Sequence, residues 1–258
     1  MLHTSKTFTV EYELEDADVC VLGIPFDSTS ISHPLQRYAP TLIRSALKNT
    51  TFNAPLKIHD AGDVNVAPGS FEETDKRIRD TIKAIRRQNP KAFPVFLGGE
   101  HSVSLSIVRE LKPKTIVVLD AHPDLLESYE NVTYSHTTWL YHAIAELGCS
   151  VVLLGARSWT PEEKETMKKL GVRTELPQKF NGPVYVSIDM DVFDPLYAPE
   201  TGFAEPNGLA PNDVFGLIEK IFKANVIGLD IVEISSDRLN CPTANLAART
   251  LVHAMGQL

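Results

Sequence analysis

Imidazole and carboxylate side chains gather at three places in this 258-residue sequence: Gly98-Gly99-Glu100-His101-Ser102, Asp120-Ala121-His122-Pro123-Asp124 and Asp189-Met190-Asp191-Val192-Phe193-Asp194-Pro195. Alternate residues of an extended chain point to the same side. Asp120, His122 and Asp124 can therefore aim at a common point, as can Asp189 and Asp191, provided the backbone stays extended. His101 follows a Gly-Gly pair that permits a sharp turn. Together His101, Asp120, His122, Asp124, Asp189 and Asp191 supply two imidazoles and four carboxylates. Burying so much negative charge requires a compensator of more than one positive charge, and a pair of divalent cations is the natural candidate. The donor set is oxygen-rich with two borderline nitrogens, which suits Mn²⁺ better than Zn²⁺. Six ligands are too many for one tetrahedral ion, whereas sharing Asp120 and Asp189 gives each of two ions a reasonable shell. Two ions about 3.5–4 Å apart can hold a bridging hydroxide, a nucleophile at neutral pH. The chemistry expected is metal-dependent hydrolysis. An isolated Asp-x-Asp is ordinary turn material, and Asp194-Pro195 reads as a turn starter. Three such clusters at successive strand ends are hard to explain as structure.

The elements that must position these residues alternate along the chain. Short apolar runs at 19–24, 94–97, 115–119, 151–154, 184–188 and 226–234 read as strands. Several are nearly continuous in Val, Ile and Leu, as expected for strands covered on both faces. Helical patterns occupy 40–47, 72–87, 103–111, 137–147, 161–170, 211–222 and 243–255. Pro161 and Pro211 suit a first helical turn, and Thr160 is a better cap than Ala210. The alternation predicts an α/β fold, a mostly parallel sheet between helical layers. The length favours a single domain over residues 1–258. The three clusters follow strand ends, where ligands gather in open parallel sheets. The Pro- and Gly-rich loop 193–212 is long enough to expect function of it.

Hydrophobic residues make up 43% of the sequence and charged residues 22%, ordinary values for a globular protein. A net charge of −8 argues against nucleic acid or an anionic membrane surface as partner. Cys20, Cys149 and Cys241 form no CxxC pattern, which favours a reducing compartment over a disulfide framework. With no run of about 18 apolar residues and no basic-then-apolar start, a cytoplasmic location is expected by default.

The combined motifs resemble those of the ureohydrolase family, the arginases and agmatinases. That family's Gly-Gly-x-His-Ser, Asp-Ala-His-x-Asp and Ser-x-Asp-x-Asp-x-x-Asp-Pro occur here at 98–102, 120–124 and 187–195. The match extends to Gly23-Ile24-Pro25-Phe26-Asp27, Asp60-Ala61-Gly62-Asp63, Gly155-Ala156-Arg157-Ser158 and Asp230-Ile231-Val232-Glu233, and so covers nearly the whole chain. The resemblance implies a three-layer αβα, arginase-like fold and a homo-oligomer, trimer or hexamer. It also implies two Mn²⁺ per chain, which would hydrolyse a guanidino group to urea and an amine. It places His101, Asp120, Asp124 and Asp189 on one ion and Asp120, His122, Asp189 and Asp191 on the other. It gives Glu233 the role of receiving the guanidinium, to which a carboxylate can offer two parallel hydrogen bonds. It gives His136 proton transfer, which suits a group titrating near neutral pH. His142 and His253, in helical stretches, read as structural, and His3, His33 and His59 give no signal.

The segment 125–135 resembles agmatinases rather than arginases. Its Glu127 and Glu130 are expected to repel a substrate carboxylate and tolerate an ammonium, favouring agmatine over arginine. The chain departs from the family in two places. Thr201-Gly202-Phe203-Ala204 stands where Thr-Gly-Thr-Pro is common, and Arg37-Tyr38-Ala39-Pro40 where Arg-x-Gly-Pro is common. The first change exchanges a hydroxyl for a phenyl ring near the expected pocket. Competing readings are hydrolysis of arginine or another guanidino compound, a non-catalytic metal-binding scaffold, and a single-zinc deacetylase on the same architecture.

Overall fold

The computed structural model describes residues 4–5, 12–30, 34–51 and 55–258. Among the described residues, eight strands form one sheet: β1 (Thr4–Ser5), β2 (Val19–Gly23), β3 (Ile58–Val64), β4 (Phe93–Leu97), β5 (Thr115–Leu119), β6 (Ser150–Leu154), β7 (Val184–Asp189) and β8 (Val226–Val232). Seven helices accompany them: α1 (Ala39–Leu47), α2 (Phe71–Gln88), α3 (Val103–Leu111), α4 (Trp139–Leu147), α5 (Pro161–Leu170), α6 (Pro211–Ile221) and α7 (Pro242–Met255). The strand order is β1-β3-β2-β4-β8-β7-β5-β6. Every pairing is parallel except that of β1 with β3.

Strand residues alternate between two cores, as the pleat dictates. In β5, Val117 and Leu119 enter one core while Ile116 and Val118 enter the other. In β7, Val184, Val186 and Ile188 enter the first and Tyr185 the second. Helices α1, α6 and α7 cover the first face, and α2, α3 and α4 the second. The result is the three-layer αβα architecture expected from the alternation. Thr160 caps α5 through a reciprocal bond pair with Glu163. At α6 only half of such a box forms, because Ala210 has no side-chain acceptor and Asp213 alone closes the turn. No helix among the described residues is long and apolar enough to cross a membrane.

Three expectations need correction. β3 has no counterpart among the apolar runs, since His59, Asp60, Gly62 and Asp63 interrupt its pattern. Its acidic residues are accommodated by Arg44 of α1, only 3% exposed. The guanidinium makes paired bonds of 2.8 Å to both oxygens of Asp60, bonds the Gly62 carbonyl, and contacts Asp63. The strand expected over 226–234 ends at Val232, because Glu233 takes the left-handed conformation (φ +66°). The helix expected from 137 starts at Trp139, after a turn held by the Thr138 hydroxyl. His3 and His33 lie outside the described residues.

Because the buried Arg44 neutralises two carboxylates at once, removing it strands charge in the interior. Arg44→Met is expected to lower unfolding stability by about 3–5 kcal/mol, measured by equilibrium urea denaturation. A loss below about 1 kcal/mol would show that the ion pairs do not anchor β3.

Candidate active site

β4, β8, β7 and β5 are adjacent in the sheet, and the segment leaving each carboxyl end carries a site residue. His101 follows β4, Glu233 follows β8, Asp189 and Asp191 lie at the end of β7, and Asp120, His122 and Asp124 follow β5. The chain passes from β4 to β5 across the places later filled by β8 and β7, so a crevice opens where the winding reverses. The turn into this crevice needs Gly99: a Cβ there would lie 2.0 Å from the Phe26 carbonyl oxygen.

The side chains converge through turns rather than by strand alternation alone. Met190–Val192 forms a 3₁₀ turn, and Asp124 is left-handed at φ +53°. Non-glycine residues in that region cost conformational energy that surrounding structure must hold. Each carboxylate has one oxygen tied down. Asp120 accepts the His122 amide N–H (2.6 Å), Asp189 that of Asp191 (2.8 Å), and Asp191 that of Ala121 (2.9 Å). Asp124 accepts the indole N–H of Trp139 at 3.0 Å, and that ring also lies tilted over His101. The other oxygens of Asp120, Asp189 and Asp191 turn inward, whereas Asp124 turns the indole-bonded Oδ2 itself inward. His101 Nδ1 lies 3.1 Å from Asp120 and 3.2 Å from both Asp124 and Asp189. His122 Nδ1 lies 2.8 Å from Asp191. Two groups of potential ligand atoms result, His101 with Asp120 and Asp124, and Asp120 with His122 and Asp191. Asp120 belongs to both.

A hydrogen-bond chain behind His101 fixes its tautomer. Asp230, fully buried, accepts hydroxyl bonds from Tyr185 (2.7 Å), Ser104 (2.6 Å) and Ser187 (2.6 Å). Since Ser187 donates to Asp230, its oxygen accepts from His101 Nε2–H at 2.9 Å. In the neutral imidazole Nδ1 then presents its lone pair to three carboxylates. Both His101 Nδ1 and Asp120 Oδ2 are buried without a hydrogen-bond partner. Unpartnered buried polar atoms that face one another fit a cation between them.

The acid–base balance of the residues leads to the same conclusion. Burial pushes Asp120 up to about 7, reinforced by repulsion from Asp191 and Asp124. Burial and the same kind of repulsion hold Asp189 well above the usual carboxylate range. For His122, burial opposes protonation, yet the Asp191 hydrogen bond and surrounding carboxylates raise it to about 10. Burial likewise opposes protonation of His101, and Asp120, Asp124 and Asp189 override it. Without a cation, protons must do the neutralising.

Glu233 faces the crevice from β8. Its amide donates to the Gly99 carbonyl (2.9 Å), and its carboxylate accepts the His101 amide N–H (2.6 Å) and the Gln36 side chain (3.1 Å). Burial, then repulsion from Glu100, raises its pKa to about 8 against the influence of His101. His136 is buried, with both ring nitrogens unpartnered, and Phe203 stacks on it at 5.9 Å and 17°. Phe203 also meets His122 edge-on at 6.3 Å. A cavity of about 360 Å³ is lined by His122, Asp124, His136, Asp189, Asp191 and Glu233 at its base, with Tyr129, Trp159, Phe203 and Glu205 toward the mouth. The cavity thus brings together every expected ligand and catalytic residue except His101 and Asp120, which lie behind the wall.

The acidic residue at the mouth is Glu205, not Glu127 or Glu130. Both of those are exposed, and their segment turns Leu126 and Tyr129 inward instead. Glu205 Oε1 lies 3.8 Å from His122 Nε2. Arg157 holds the loop, donating to the carbonyls of Asp191, Glu205 and Pro206. Buried Glu100 was also missed as a contributor. It accepts the amide and hydroxyl of Thr29, whose oxygen in turn accepts the His136 amide N–H at 3.3 Å. His142 bonds the Glu127 carbonyl and His253 stacks on Phe215, both structural as expected.

This arrangement has known counterparts. The Arginase family model matches residues 17–256. An agmatinase of Pyrococcus horikoshii is 40% identical, over 99% of this chain and 98% of its own. An N(1)-aminopropylagmatine ureohydrolase of Thermococcus kodakarensis is 37% identical, over 100% and 97%. The crystal structure of the agmatine ureohydrolase of Thermoplasma volcanium superposes with a TM-score of 0.85 at 32% identity, covering 96% of this chain and 92% of that one. With the fold, the paired ligand groups and the full-length similarity in agreement, the chain belongs to the arginase family and is a metal-dependent amidinohydrolase.

Proposed function

We propose that the enzyme hydrolyses agmatine to putrescine and urea at a site holding two Mn²⁺ ions. The observation that carries this reading is one cavity in which a buried carboxylate, Glu233, faces two ligand groups that share Asp120. His101, Asp120, Asp124 and Asp189 would hold one ion, and Asp120, His122, Asp189 and Asp191 the other. Such ions lower the pKa of water and so supply a nucleophile near neutral pH.

The chain's own residues do the remaining work. Glu233 accepts the planar guanidinium side-on, with a bond geometry that a carboxylate matches in two places. Because its amide and one oxygen are fixed to the loop that carries His101, the substrate carbon is placed against the ligand groups. That placement converts an encounter into an oriented reaction. His136 has two unengaged nitrogens within the cavity and relays a proton to the departing amine. Thr29 and Glu100 hold its backbone, and Phe203 shields its ring from water. Glu205 at the mouth disfavours the α-carboxylate of arginine and tolerates the ammonium of agmatine.

The aromatic rim of Tyr129, Trp159 and Phe203 also suits a longer cationic tail, since ring faces attract ammonium groups. A panel of agmatine, N1-aminopropylagmatine and arginine is therefore the deciding experiment, with urea as readout from manganese-loaded protein. Urea from the two amines and little from arginine is expected. Equal turnover of arginine would remove Glu205 from selectivity, and no urea from any of the three would overturn the assignment.

Metal binding should be pH-dependent, because the cluster carries protons that a cation must displace. Groups with raised pKa lose those protons as pH rises, from about 7 for Asp120 to about 10 for His122. Apparent Mn²⁺ affinity is thus expected to rise steadily between pH 6 and 8.5, with proton release seen by calorimetry in buffers of different ionisation enthalpy. Asp191→Asn should weaken binding at every pH while leaving the circular dichroism spectrum unchanged. A pH-independent affinity would mean that the cluster does not hold the metal.

A further inference from the structure

Glu233 receives a hydrogen bond from a residue that no motif singled out. Gln36 sits in the segment between β2 and α1 and is 1% exposed. Its Nε2 donates to Glu233 Oε2 at 3.1 Å and to the Ser30 hydroxyl at 3.0 Å. Both amide hydrogens are therefore committed. Its carbonyl oxygen is buried with no partner among the described residues. Turning the amide over would give that oxygen the Ser30 hydroxyl but would set it against the Glu233 carboxylate. The observed orientation leaves a buried acceptor unsatisfied in order to keep a donor on Glu233, although buried acceptors are normally paired.

The segment carrying Gln36 is itself fixed. Arg37 donates both its backbone N–H (3.1 Å) and its Nε (2.8 Å) to Asp27, a buried carboxylate. The donor that reaches Glu233 is thus braced rather than free to follow it. Among the described residues, Glu233 is otherwise held at one oxygen only, by the His101 amide. A carboxylate pinned at a single oxygen can rotate about its terminal torsion, which is broad for carboxylates. A second donor at the other oxygen defines the plane of the group. Two-point reception of a guanidinium depends on that plane. Each oxygen retains lone-pair capacity after accepting one bond, so the substrate can still be received.

We propose that Gln36 is a positioning residue for substrate recognition, setting the plane of the Glu233 carboxylate that receives the guanidinium. The inference rests on the proposed guanidino substrate and adds a determinant outside the family's metal motifs. It concerns the guanidinium end of the substrate, not the metal groups and not the tail.

The test compares wild type with Gln36→Met, which keeps the length of the side chain and removes the donor, and Gln36→Glu, which keeps the shape and replaces the donor by an acceptor. KM for agmatine is expected to rise about tenfold or more in Gln36→Met and further in Gln36→Glu, with kcat changed much less. Inhibition by guanidinium ion should weaken in parallel, while inhibition by putrescine, which lacks that group, stays at the wild-type value. Mn²⁺ affinity should be unchanged. Lowered thermal stability with wild-type KM and guanidinium inhibition would make Gln36 a packing residue and overturn the inference. Equal weakening of guanidinium and putrescine inhibition would also overturn it, by showing general damage to the pocket. Absence of urea from wild type with any guanidino compound is a separate failure, of the substrate assignment, and would take this inference with it.

Discussion

Mutual repulsion among carboxylates at the centre of the sheet is the constraint on which the rest of this structure depends. Asp120, Asp124 and Asp189 place oxygens within 3.2 Å of one imidazole nitrogen in a nearly water-free interior. No arrangement of apolar packing can neutralise them. The fold instead divides each group's duties. In Asp120, Asp189 and Asp191 one oxygen is tethered to a backbone amide and the other is left facing the centre, while in Asp124 the oxygen that faces the centre is itself held by an indole. The Asp230 network then turns the His101 lone pair toward the same point. Burial makes the cluster demanding, and the tethers prevent it from relaxing by rotation.

The groups proposed for substrate recognition and for metal binding share supports. The His101 amide bonds Glu233, and the Gly99 carbonyl accepts the Glu233 amide, so the loop after β4 supports both the proposed ligand and the proposed substrate groups. Thr29 and Gln36 come from a single connection, between β2 and α1. One reaches His136 and the other Glu233. Changes in that connection should therefore act on the residues proposed for substrate binding and proton transfer without touching a proposed metal ligand.

Much of this was legible in the sequence, for physical reasons that differ by element. The central strands announce themselves because burial on both faces demands continuous Val, Ile and Leu. The ligand motifs are legible because several hard donors at close spacing have few structural uses. β3 was not legible: its two aspartates are neutralised by Arg44, which is distant in sequence, and local pattern carries no trace of that pairing. Glu127 and Glu130 misled because charge in a loop says nothing of which way the loop turns. The residue that meets the cavity mouth, Glu205, lies in a segment fixed by Arg157 through backbone carbonyls, which are invisible to residue type. Gln36 is hidden for a related reason. An amide in a loop is chemically unremarkable until a carboxylate from the far end of the chain is set against it.

The strand order has a consequence for synthesis. β1, β3, β2 and β4 form one half of the sheet and β7, β5 and β6 the other, and β8 alone joins them. β8 is the last of the strands in sequence. Until it has emerged, His101 and Asp189 belong to two separate half-sheets with exposed inner edges, and Glu233 does not yet exist. The nascent chain can thus pair strands only within each half, and the meeting of His101 with Asp189 waits for β8 to close the sheet.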